Sequence, residues 1–193
     1  MEMVYLPISQ VNPKENIWNW QFFENILKDI EKRGNLAIVR PYFDFPGAER
    51  FSQAIPEYLI KKGYQTKSYH LYGGGVSPDF RDLKWQGYIR QFIQKFSEYD
   101  GDGRVAFIQL GILGHWGEWH TFANEKLMAS KTFQSLVFDW YSTFFNKTLL
   151  LTRYPNNRNA QLSMGYFDDS FSWETLPQTG QIDTDHFFVN QIK

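Results

Sequence analysis

Two hydrophobic rhythms alternate along the chain. Short apolar runs, partly β-branched, stand at 3–8 (MVYLPI), 35–43 (NLAIVRPYF), 104–113 (RVAFIQLGIL) and 148–155 (TLLLTRYP), with a weaker one at 161–171 (QLSMGYFDDSF). Runs of this length and composition predict buried strands. Between them, apolar residues recur at helical spacing. In 19–34 they are Phe22, Phe23, Ile26, Leu27 and Ile30, with Gly34 where a C-terminal cap belongs. In 82–103, Trp85, Ile89, Phe92, Ile93 and Phe96 form one stripe, and 131–145 is a further amphipathic helix. A shorter helix is predicted over 52–63, around Pro56. The stretch 64–80 holds three successive glycines and a proline and reads as a loop with a flexible turn, and the tail from Trp173 gives weak signals.

Strands alternating with helices predict an α/β fold of parallel strands joined by right-handed crossovers. No G-x-G-x-x-G or P-loop follows a strand, so a barrel competes well with a doubly wound sheet. The strand ends favour the barrel, because barrel chemistry collects at the C-terminal ends of strands. Arg40 and Asp44 follow the second predicted strand, and Glu118 and His120 follow the one counted fourth. Arg153 follows the fifth, and Asp168 with Asp169 the sixth. The expectation is a single TIM-type (β/α) barrel domain over 1–193. It comprises about six strand–helix units, where a full eight-fold barrel takes roughly 250 residues, and so lacks the last strands.

Composition narrows the partners. The formal net charge is −1, so no basic field points to nucleic acid or an anionic membrane. No apolar run approaches the roughly 18 residues of a membrane span, and the N-terminus lacks the pattern of a signal peptide. There are no cysteines, which excludes disulfides and thiolate chemistry. Aromatic residues reach 19%. Most of that ring surface belongs to a core, and a minority fits a sugar-binding cleft.

The densest chemistry lies in 111–120, GILGHWGEWH. Glu118 sits between Trp116 and Trp119, with His115 and His120 near and Gly111, Gly114 and Gly117 at every third position. Flanking indoles would exclude water, and desolvation favours the protonated carboxyl that a general acid needs. The histidines lack H-E-x-x-H spacing and a cysteine, so hydrogen bonds to substrate or to Glu118 fit better than a metal. No metal or other cofactor is expected. Arg40 and Arg153, near apolar strand ends, call for carboxylate partners, with Glu118 or Asp168 as candidates. Asp168 and Asp169 fit either a turn or substrate contact, and YDGDG at 99–103 fits a helix-ending turn better than a calcium loop.

YDGDGRVAFIQLGILGHWGEWH, LLLTRYP and GYFDDSF resemble the family called domain of unknown function 4832. WNWQFFENILKDIEKRGNLAIVRPYFDFPG and GGGVSPDF fit the same pattern. The family resembles bacterial, often exported, glycoside-hydrolase-like (β/α)₈ barrels. The resemblance implies a carbohydrate ligand and places Glu118 at the acid/base position after the fourth strand. Trp116, Trp119 and His120 would then shape a sugar subsite, and Arg40, Arg153, Asp168 and Asp169 would hold hydroxyls or tune Glu118. The seventh-strand carboxylate of that clan has no counterpart motif before Lys193. The alternatives are a non-catalytic carbohydrate-binding barrel and an inactive fragment of a larger enzyme.

Overall fold

The computed structural model describes residues 1–47, 54–122 and 124–169. In chain order the elements are β1 (Glu2–Pro7), α1 (Ile8–Val11), α2 (Gln21–Lys32), β2 (Ala37–Tyr42) and α3 (Glu57–Lys61). The hairpin strands β3 (Thr66–Tyr69) and β4 (Gly75–Pro78) follow, then α4 (Lys84–Phe96) and β5 (Val105–Gln109). The last are α5 (Lys131–Phe144), β6 (Leu149–Thr152), α6 (Asn157–Gln161) and β7 (Gly165–Tyr166). The tail from Trp173 and the first two residues of the helix predicted at 52–63 lie outside the described residues.

Five strands form one parallel sheet in the order β1-β2-β5-β6-β7. Each strand neighbours the next in sequence, so the sheet never reverses its winding. A doubly wound sheet reverses at a switch point and takes helices on both faces. Winding in one direction with right-handed crossovers keeps the helices on one face, which is barrel construction. The described residues therefore form part of a (β/α) barrel.

The helices carry the predicted stripes. Phe23, Leu27 and Ile30 of α2 are buried, as are Trp85, Ile89, Phe92, Ile93 and Phe96 of α4. They pack on Val4, Leu6, Val39 and Ile108 of the sheet in one core. Phe22 departs from the expected stripe and stays largely exposed. Gly34 ends α2 as predicted. Its left-handed φ of 72° lets the Gly34 N–H reach Glu31 O and the Asn35 N–H reach Ile30 O.

Two readings are corrected. The stretch 64–80 is not a loop but an antiparallel hairpin, with Thr66 opposite Pro78 and Tyr69 opposite Gly75. Its turn is a close approach rather than a flexible link. Gly73 lies against Gly47, and the Gly47 N–H donates to Gly74 O at 2.9 Å. The hairpin forms its own two-stranded sheet, so β5 pairs directly with β2. The strand before GILGHWGEWH is accordingly third, not fourth, among the described parallel strands. YDGDG is a turn. Asp100 accepts the N–H groups of Asn146, Lys147 and Thr148, and Asp102 pairs with Arg104.

Candidate functional site

Strand alternation builds the site. Val4 and Leu6 turn into the helix-covered core, which puts Tyr5 on the opposite face. Tyr5 is in register with Arg40 of β2. Gln109, at the end of β5, meets Arg40 from the other side and accepts from its Nε at 2.6 Å. The Arg40 side chain is fully buried. A buried guanidinium is tolerated only with its donors matched. Here NH1 donates to Glu118 Oε1 at 3.0 Å, and NH2 donates to Asp169 Oδ1 and Oδ2 at 2.7 and 2.8 Å. The guanidinium also lies 4.7 Å from the Phe167 ring centroid and 5.2 Å from that of Tyr5.

The loop after β5 delivers Glu118. Gly111 passes so close to the Pro41 carbonyl that no Cβ fits, and Gly117 packs on Gly111. Ile112, Trp116 and Trp119 have left-handed φ of 73°, 53° and 60°. Such backbone costs about 1–3 kcal/mol per non-glycine residue and collects at functional sites. A buried cluster offsets it. His115 Nδ1 is 2.7 Å from Asp44 Oδ2, and the Tyr69 hydroxyl donates to Asp44 Oδ1. Burial and this bond to a carboxylate drive the Tyr69 hydroxyl far above its ordinary pKa. The rings of Tyr69 and Tyr72 lie 4.5 and 6.0 Å from His115. The Trp116 N–H donates to Asp44 O, so β2 and the hairpin together brace the loop.

Most of the predicted site residues converge. Arg40, Glu118 and Asp169 form one cluster, and His120 joins it with Nε2 3.2 Å from Glu118 Oε2. The Trp116 ring lies 5.9 Å from His120 and 5.1 Å from Tyr72, at the side of the cluster. Arg153 and Asp168 pair with each other at 2.9 Å, at the ends of β6 and β7. Of the two candidate partners for Arg40, the structure selects Glu118 and gives Asp168 to Arg153.

Trp119 is the exception. Its ring stacks on Phe138 of α5 at 4.6 Å and 7°, and its N–H donates to Leu110 O. It belongs to the core and walls no subsite. The groups bonded to the Glu118 carboxylate are thus a guanidinium and an imidazole rather than two indoles. Sequence reasoning missed Tyr5, Gln109 and Phe167. Gln109 carried a signal, since it is the one polar residue inside AFIQL. Asp44 was noted only for its place after β2, without its bond to His115. Among the described residues, no three His, Cys, Asp or Glu side chains are grouped to hold a metal ion, and no helix is long and apolar enough to cross a membrane.

No protein-family profile matches the chain, and no curated protein matches it in sequence. Solved structures are similar to parts of it. Endo-glycoceramidase II from Rhodococcus sp., solved as a five-membered iminocyclitol complex, has a TM-score of 0.50 at 11% identity. The match covers 92% of this chain and 44% of that one. Xylanase 10B from Thermotoga petrophila RKU-1, in complex with xylobiose, scores 0.44 at 11% identity, over 83% and 45% of the two chains. Xylanase XynB from Paenibacillus barcinonensis, with a conduramine derivative, scores 0.42 at 12% identity, over 78% and 41%. The chain spans less than half the length of each, and at 11% identity the likeness to the endo-glycoceramidase is one of fold.

Proposed function

We propose that the chain is a carbohydrate-active, glycoside-hydrolase-like barrel domain of the domain of unknown function 4832 type, with Glu118 as general acid/base. One observation carries this reading. Glu118 is held at the C-terminal strand ends by a buried arginine and a histidine, with 17% of its side chain still exposed. Barrel enzymes place their reacting groups at that end. A carboxyl group fixed there can protonate a glycosidic oxygen as the bond breaks and later take a proton from water.

The surroundings have matching roles. Trp116 and the exposed Tyr72 offer ring faces to a sugar. His120 orients Glu118 through Nε2, while its Nδ1 accepts from the Phe122 backbone N–H. The Arg153–Asp168 pair supplies a further hydrogen-bonding edge.

The test is Glu118→Gln. On aryl glycosides with poor leaving groups, turnover is expected to fall by about 10²–10⁴, while the melting temperature and the affinity for the same glycosides hold. Unchanged turnover removes Glu118 from the chemistry. Retained binding by an unsubstituted chain that never turns over favours a binding-only barrel.

A further inference from the structure

We propose that Asp169 is the second carboxylate of this site, paired with Glu118 across the Arg40 guanidinium. The inference rests on the hydrolase reading above and gives Glu118 a partner from among the described residues. Asp169 follows the fifth strand of the described sheet.

The geometry is set by one guanidinium. Glu118 takes NH1 and Asp169 takes NH2. These nitrogens share a carbon, so the bonded oxygens lie at most about 8 Å apart, not beyond the limit of about 9.5 Å for glycosidase carboxylate pairs. Arg40 lies beneath and is wholly buried, whereas Glu118 is 17% and Asp169 30% exposed. A ligand that reaches the exposed edges of the two carboxylates meets them and not the buried cation. As Glu118 gives up its proton, two carboxylates stand against one arginine with a formal charge of −1, which favours the positive charge that grows on a sugar ring as its glycosidic bond breaks. The neighbouring Asp168 is less exposed, at 10% against 30%, and pairs with Arg153 rather than with the guanidinium that holds Glu118.

The step balances without another reagent. The bond from the anomeric carbon to the leaving oxygen breaks, and its electron pair stays on that oxygen, which takes the Glu118 proton. The new bond to the anomeric carbon comes from one of two oxygens. Either an Asp169 oxygen bonds directly, and water later cleaves that ester and returns a proton to Glu118, or water bonds and gives its proton to Asp169.

The experiment uses the full chain and a panel of 2,4-dinitrophenyl and methylumbelliferyl α- and β-glycosides. The dinitrophenolate leaves without protonation, so it separates the two carboxylates. Asp169→Asn is expected to lower turnover of both series by at least about 10³-fold, while Glu118→Gln spares bond cleavage in the dinitrophenyl series. Azide is expected to restore product formation by Asp169→Ala, as the glycosyl azide, which also shows that this variant folds. Asp169→Asn within about threefold of the unsubstituted chain overturns the pair and leaves the Glu118 reading standing. No turnover of any glycoside by the unsubstituted chain overturns the hydrolase reading and the pair with it.

Discussion

Two arginines each hold two carboxylates, at opposite ends of the same sheet. Arg104 lies just before β5. Its Nε and NH2 donate to Asp102 at 2.9 and 2.6 Å, and its NH1 and NH2 donate to Glu24 at 3.0 and 3.1 Å. Both carboxylates are gripped at two oxygens, and Tyr99 adds a hydroxyl donor to Glu24. Arg40, at the far end, is buried deeper and grips less symmetrically. It takes a single Glu118 oxygen and leaves the other to His120. The first arrangement closes a turn onto α2. The second leaves carboxylate surface open above a hidden cation. Barrels divide labour in this way, with stability at the N-terminal end of the strands and chemistry at the C-terminal end. The chemical parts are alike, and depth with oxygen matching separates the two arrangements.

The sharpest way to break the comparison is to remove each arginine in turn. Arg40→Met leaves Glu118, Asp169 and Gln109 without their shared donor inside the sheet end. Breaking a buried pair costs about 3–5 kcal/mol. Arg104→Met acts on a partly exposed network, for which about 1 kcal/mol is expected. Urea denaturation of the two variants measures the gap. Equal losses would mean that the C-terminal cluster is an ordinary surface network.

Much of this division was legible beforehand. The stripes of α2 and α4, the strands at 37–42 and 105–109, and an arginine at a strand end in need of a carboxylate all follow from spacing and burial cost. The hairpin was hidden because its strands are four residues long and its glycines mimic a loop. The strand counted fourth, before Glu118, is third in the parallel sheet. The direction of Trp119 was hidden for another reason. Left-handed φ at Trp116 and Trp119 breaks any periodic rule for where side chains point, so adjacency to Glu118 in sequence did not become adjacency in space. Asp169 reached Arg40 only through the fold, 129 residues away in sequence.

Glycines sharpen the same contrast at smaller scale. A Cβ on Gly111 would run into the Pro41 carbonyl, a backbone atom that cannot step aside. Gly111→Ala is expected to cost about 1–3 kcal/mol and to disturb the loop that carries Glu118. At the other end, a Cβ on Gly103 meets nothing within 4 Å, and its φ is not left-handed. Gly103→Ala is expected to stabilise by about 0.4–1 kcal/mol through the unfolded chain. Thermal melts of the two variants should move in opposite directions, and a fall in both would show that the N-terminal turn is as tightly built as the site.

The smallest effect is a pH dependence of the Arg104 network. Hydrogen bonds from Arg104 hold the Asp102 and Glu24 carboxyls below the usual carboxylate range. A carboxyl whose pKa is lowered on folding stabilises the fold while ionised, so its contribution is whole above the unfolded value near pH 4 and is lost as pH falls through the lowered folded value. Below about pH 4, the native chain should therefore lose stability more steeply than Arg104→Gln, whose carboxyls no longer have that partner. The difference between the two at neutral pH should be about 1 kcal/mol, and it should close on acidification. Parallel stability curves from pH 6 to pH 3 would show that the Arg104 network carries no acid-sensitive stability, and the contrast between the two ends of the sheet would then rest on burial alone.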